Sequence, residues 1–218
     1  MKYLQTTKLI SAMIVALFSF LTWAITSVIA APARPAASAA AQERLPFGGL
    51  LASEEFSKTF GAHQFTPFGD SKFTFTISIP NSWESHLSEV DPDQIAHDTE
   101  APVPIAEFYP SGADDVGINV QYIKVAAEKP LGTVIDEYAK ANDGKIETRQ
   151  QLEFKGHSLE DALMKNNNDD LGPMLTRVTL LRRGAIVFIY TGWSVEEKYE
   201  RYKRLFGAAL ESFTPAAD

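Results

Sequence analysis

Residues 84–104, ESHLSEVDPDQIAHDTEAPVP, hold six acids, two histidines and three prolines, and no basic residue. Carboxylates at this density offer the hard oxygen ligands that calcium takes, and together with imidazole a mixed set that zinc accepts. Asp91, Asp93, His97 and Asp98 form the tightest such group and are the candidate ligands for a divalent cation. Their spacing fits no standard site. Asp91-Pro92-Asp93 does not match the calcium loop with glycine at its sixth position, and His86 and His97 lack a paired-histidine zinc spacing. The plainer reading is a solvated acidic loop that attracts a cation or a basic protein patch. Asn166-Asn167-Asn168-Asp169-Asp170 also offers oxygens, but without the glycine and distal glutamate it reads as a loop between strands.

Nucleophilic and acid–base chemistry finds less support. Neither His63 nor His157 has a serine, cysteine or carboxylate at a motif spacing. Ser158 directly follows His157, and neighbours in a strand point to opposite faces. No G-x-S-x-G, Walker A, H-E-x-x-H or dinucleotide fingerprint occurs. The absence of cysteine removes thiol catalysis, disulfides, thiolate metal sites and a lipobox anchor together. The chain is therefore read as non-enzymatic and without a cofactor. Arg182-Arg183 reads as a solvated hairpin tip whose charges discourage edge pairing, or alternatively as a dock for an acidic partner. Trp83 sits just past a strand, where an indole can seal the edge of a core. Arg182, Arg183 and Trp83 are the candidate partner-binding residues.

The elements behind these residues begin with an address label. Lys2 and Lys8 precede an uncharged run from Leu9 to Ala33, and Ser27-Val28-Ile29-Ala30-Ala31 supplies the small residues that signal peptidase accepts. Residues 1–30 thus read as a Sec signal peptide cut after Ala30, or as an uncleaved signal anchor, since ~20 apolar residues span a bilayer. Either way the lysines stay inside and the bulk of the chain crosses, which predicts a periplasmic or luminal domain. Residues 31–49 form an Ala/Pro-rich linker with too few large apolar groups to offset its ordering entropy, and disorder is expected there. Residues 50–218 are enough for one well-buried domain. Without residues 1–30 the charge is 18 basic against 28 acidic, a net −10. So acidic a domain is a poor partner for nucleic acid.

Within that domain, residues 50–60 suggest a short helix. Phe73, Phe75, Ile77 and Ile79 then alternate with Lys72, Thr74, Thr76 and Ser78, the period of a strand with one buried face. Residues 84–104 read as loop. Ile105–Tyr109, Ile118–Val125, Ile146–Phe154, Ser158–Lys165, Met174–Leu181 and Ala185–Trp193 follow as strands. A helix opens at Pro130, and a second runs from Val195 to Phe213 with Ser194 and Glu197 in capping-box spacing. Short links imply mostly antiparallel pairing. Helices with a single apolar stripe cover such a sheet, so the expected fold is α+β, a layered α-β-α sandwich.

One strand-and-turn signature is more specific than periodicity: Phe73–Ile79 followed by Pro80-Asn81-Ser82-Trp83. With it come the helix Pro130–Ala141 after Ile118–Val125, the strand pair around Lys155-Gly156-His157, and the Arg182-Arg183-Gly184 hairpin. The closing helix ends in Leu210-Glu211-Ser212-Phe213. Across about residues 65–214 this order resembles the PsbP-like superfamily. That group includes the extrinsic photosystem subunit PsbP, periplasmic DcrB-like proteins and Mog-type Ran-binding proteins. The resemblance implies a non-catalytic accessory or assembly domain that binds a protein partner at a membrane-associated complex. The alternative is a periplasmic protein that binds a small ligand or divalent cation through the acidic loop 84–100. The chain departs from cyanobacterial relatives in lacking the cysteine that usually carries their lipid anchor, and no residue argues for a photosystem.

Overall fold

The computed structural model describes residues 53–89 and 101–216. The targeting segment 1–30, the linker 31–49 and the candidate ligands Asp91, Asp93, His97 and Asp98 lie outside the described residues.

The described residues open with helix α1 (Ser53–Thr59), which passes directly into strand β1 (Phe60–Phe65). The alternation from Phe73 to Ile79 appears as expected, with Phe73, Phe75, Ile77 and Ile79 all buried. Phe73 closes a short 3-10 turn, and the strand β2 is Phe75–Pro80. β1 pairs antiparallel with β2, and the two-residue β10 (Thr214–Pro215) adds to the other side of β2 as a small third strand.

Among the described residues the main sheet has seven strands, all paired antiparallel. They are β3 (Trp83–Leu87), β4 (Val103–Pro110), β5 (Val116–Lys124), β6 (Lys145–Phe154), β7 (His157–Asn168), β8 (Gly172–Arg183) and β9 (Ile186–Val195). Their spatial order is β3-β4-β5-β9-β8-β7-β6. Helices α2 (Leu131–Ala141) and α3 (Glu196–Ser212) complete the fold.

Strand alternation sorts the core into two clusters. On β8, Leu181 joins Phe75, Phe108, Phe188 and the α3 residues Phe206 and Leu210. Val178 and Leu180 instead join Val134 and Ile135 of α2. Gly192 on β9 lets α3 come close, because a Cβ there would stand 2.6 Å from Cγ of Phe206. On the α2 side, Arg149 of edge strand β6 reaches Glu160 at 3.2 Å and Asp136 of α2 at 2.9 Å, tying the edge to the helix.

Four local expectations are corrected. Trp83–Leu87 is a strand where loop was expected, since Glu84, Ser85 and His86 carry no apolar period and only pairing with β4 makes the segment extended. The helix expected over residues 50–60 stops at Thr59, and Phe60 already belongs to a strand that runs to Phe65. Asn166, Asn167 and Asn168 belong to β7, paired with Met174, Pro173 and Gly172, so the loop shrinks to residues 169–171. The capping box at Ser194 does not form. The β9 ladder runs on through Val195, and the Ser194 hydroxyl donates to the Val195 carbonyl at 3.1 Å, leaving α3 without a side-chain cap.

Candidate functional site

Two constellations stand out, and both depend on strand register. The first lies between α3 and the sheet. Asp161 (β7) faces Thr179 (β8) directly in register, with Arg177 on the same face two residues along. Asp161 and Arg177 are fully buried. The guanidinium donates to the carboxylate from Nε and Nη2, each at 3.0 Å, Thr179 Oγ1 donates at 2.6 Å, and Gln150 Nε2 donates at 3.3 Å. A bidentate geometry with further donors is what a carboxylate needs to be held charged away from water. Tyr190 and Tyr199 stand close enough to feel these charges, and burial raises both phenols, Tyr199 to about 12. The Tyr190 hydroxyl donates to the Phe206 carbonyl at 2.8 Å. With both charged side chains 0% exposed, the pair ties β7 to β8 beneath α3.

The second constellation is a cleft of about 380 Å³ on the α2 side. Register sets Trp193 (β9) between Gly117 (β5) and Thr176 (β8). The indole lies over Gly117, where a Cβ would stand 2.8 Å from Cζ2 and 3.0 Å from Nε1. Its N–H donates to Asn119 Oδ1 at 3.3 Å. The C-terminal end of α2 forms the opposite wall with Tyr138 and Asn142, and Asn142 Nδ2 donates to the Tyr138 carbonyl at 2.8 Å. Burial pushes the Tyr138 phenol up to about 12, so it stays protonated and neutral near pH 7.

Of the residues picked from sequence, Arg182 is occupied within the chain. Its guanidinium donates to the carbonyls of Ala126 (3.2 Å), Ala127 (3.1 Å) and Lys129, the segment that leads into α2. The picture of a solvated tip is thus corrected for this residue, which is half-buried. Arg182→Ala is expected to leave those carbonyls short of a donor and cost about 1–3 kcal/mol. Faster amide exchange at the start of α2 would report it, and unchanged exchange there would count against the assignment. Arg183 donates to the Lys72 carbonyl at 3.1 Å and lines a groove of about 500 Å³ with Lys72, Lys124, Phe73 and Ile186. Trp83 sits half-buried on β3 and packs against the core.

His63 and His86 are exposed on β1 and β3, and His157 is half-buried on β7, so the described histidines stand on three separate strands. Among the described residues no group of three or more histidines and carboxylates is placed to hold a metal ion. None of their helices is long and apolar enough to cross a membrane.

No family model matches the chain, and no curated protein matches it. The solution structure of cyanobacterial PsbP (CyanoP) from Synechocystis superposes with a TM-score of 0.53 at 12% identity, over 77% of this chain and 98% of that one. The fold is PsbP-like. Two further solved structures align at lower scores. LpqN, involved in cell envelope biogenesis of Mycobacterium tuberculosis, gives 0.45 at 11% identity over 77% and 98% of the two chains. A protein of unknown function from Pseudomonas aeruginosa, a suggested regulator, gives 0.42 at 11% over 72% and 99%. At these identities the likeness speaks for the fold alone.

Neither constellation was picked out from sequence. The ion pair does leave a trace: Asp161, together with Glu160, interrupts the segment Leu159–Met164, and Arg177 interrupts MLTRVTLL. A charge in the middle of a buried strand asks for a partner. The cleft leaves none, since Gly117, Asn119 and Trp193 meet only through the β5–β9 register.

Proposed function

We propose that this chain is a non-catalytic exported accessory domain that binds a protein partner at a membrane-associated complex. Residues 1–30 direct it to the periplasm or lumen, residues 31–49 serve as linker, and residues 50–218 form the domain, a layered α-β-α sandwich of PsbP-like type. The observation that carries the partner reading is the groove at the β8–β9 hairpin, where Lys72, Lys124 and Arg183 outnumber the single acid Asp70 around Phe73 and Ile186. In a chain with net charge −8, a cluster of three cations beside apolar surface suits an acidic segment of another protein. Arg183 then belongs to a partner-facing surface and Arg182 supports it from behind, whereas Trp83, paired with Pro110, stands at the other end of the sheet.

The test is crosslinking in native membranes followed by recovery of the partner. Reversing charge in the groove, Lys124→Glu with Arg183→Glu, is expected to lower recovery by about tenfold or more. A solitary monomer in gently solubilised membranes would sink the reading, and so would full recovery with the reversed groove. A second reading, binding of a small ligand, is favoured by the preformed cleft at Trp193.

A further inference from the structure

The geometry points to the Trp193 cleft as a binding site for a neutral sugar, about one or two rings in size. Its floor is an aromatic platform fixed from two sides. Gly117 leaves room for the indole to lie on the neighbouring strand, and Asn119 Oδ1 holds its N–H. Trp193 is only half-buried, so the cleft retains indole surface. A platform of this kind stacks the C–H face of a pyranose, burying apolar area while leaving the hydroxyls at the ring edge.

The polar groups around the platform are neutral and of mixed character. Asn119 spends its oxygen on the indole and keeps its amide donors, while Thr176 and Tyr138 bring hydroxyls that both donate and accept. Asn166 Oδ1 is buried and accepts no hydrogen bond from the described residues, although it lines the cleft. A buried acceptor in that state gains a partner when a ligand hydroxyl arrives. The cleft volume, about 380 Å³, falls at the small end of the range for ligand sites.

Other ligand classes fit less well. Among the described residues no cation lines the cleft and the exposed Asp114 is its one charged group, so an anion meets no opposite charge there. A purely apolar ligand would dry the amides and hydroxyls without pairing them. Sugar hydroxyls match this mixture of donors and acceptors, and the aromatic floor gives the ring a preferred face.

The experiment uses the full-length chain with Trp23→Phe and Trp83→Phe, which leaves Trp193 as the only indole. Titration with glucose, N-acetylglucosamine and maltose is expected to change its emission saturably, with a Kd of about 1 mM or tighter for at least one of them. Asn166→Ala and Gly117→Ala are each expected to weaken that sugar by about tenfold. Asn166→Ala removes an unpaired acceptor and should melt within about 2 °C of its parent, so it serves as a test even if Gly117→Ala folds poorly. No saturable change at tens of millimolar, about tenfold above that Kd, would overturn the assignment. So would binding that survives Asn166→Ala, or glucose 6-phosphate binding more tightly than glucose.

Discussion

Asp161→Ala is expected to cost about 3–5 kcal/mol of folding stability and to lower the melting temperature by about 6–20 °C. The reason lies in what remains. Arg177 is fully buried on the α3 face of β8, and Asp161 receives two of its guanidinium N–H groups together with Thr179 Oγ1. Deleting the carboxylate takes the bidentate acceptor from a guanidinium buried near Tyr190 and Tyr199 beneath α3. Asp161→Asn keeps the shape and one acceptor and should fall between wild type and alanine. Removing both charges, Asp161→Leu with Arg177→Met, should recover most of the loss, since the desolvation penalty disappears with the pair. Denaturant melts of the four proteins decide it. An alanine variant within about 1 kcal/mol of wild type would mean the pair contributes no more than a surface salt bridge.

Phe213→Ala should be nearly as damaging, at about 3–5 kcal/mol. Phe213 is 1% exposed, and its ring lies 5.4 Å from Phe75 of the small sheet and 5.9 Å from Phe188 of the main one. It joins the two sheets at the point where α3 ends. Beside it Ser212 accepts the Ser78 N–H at 2.7 Å, and Lys155 donates to the Glu211 carbonyl at 2.7 Å, so the residues around the lost ring are tied on both sides and cannot collapse freely. Cavity costs rise when the surroundings are held apart. Phe213→Leu should lose only about 1 kcal/mol. Amide exchange in β2 gives the second readout: the alanine variant should expose β2 before β8 or β9. Uniform loosening of all strands would show that Phe213 packs without joining the sheets.

How far the fold could be read from sequence follows from how much of each element is local. The alternation at Phe73–Ile79 and the apolar runs of β8 and β9 are written in consecutive residues, and they fold as written. β3 is different, because Glu84, Ser85 and His86 have no strand signature of their own and take extended form from β4. The asparagines 166–168 carry turn chemistry, yet the β7–β8 hairpin draws them into its ladder. Ser194 and Glu197 have the spacing of a capping box, but the strand keeps Ser194 first. Of the candidate residues, Arg183 and Trp83 remain at the surface, and Arg182 turns inward to carbonyls some 55 positions away in sequence. The Trp193 cleft was illegible for the same reason: its parts come from five elements, and no spacing along the chain announces a register.

The pairing of β10 with β2 has a kinetic side. Thr214 lies opposite Thr76, 138 residues earlier, so the side of β2 that β10 covers waits for chain made long afterwards. α3 has to dock on that same face, and Phe213 cannot reach Phe75 until it does. Hairpins such as β8–β9 close over a two-residue turn and can form early, whereas this seam is among the most non-local contacts of the fold. Contacts of such range cost the most chain entropy to close, so this seam is expected to form late. While it stays open, β2 shows an unpaired edge and an apolar face, which makes that interval the one in which the chain is most prone to associate with its own copies.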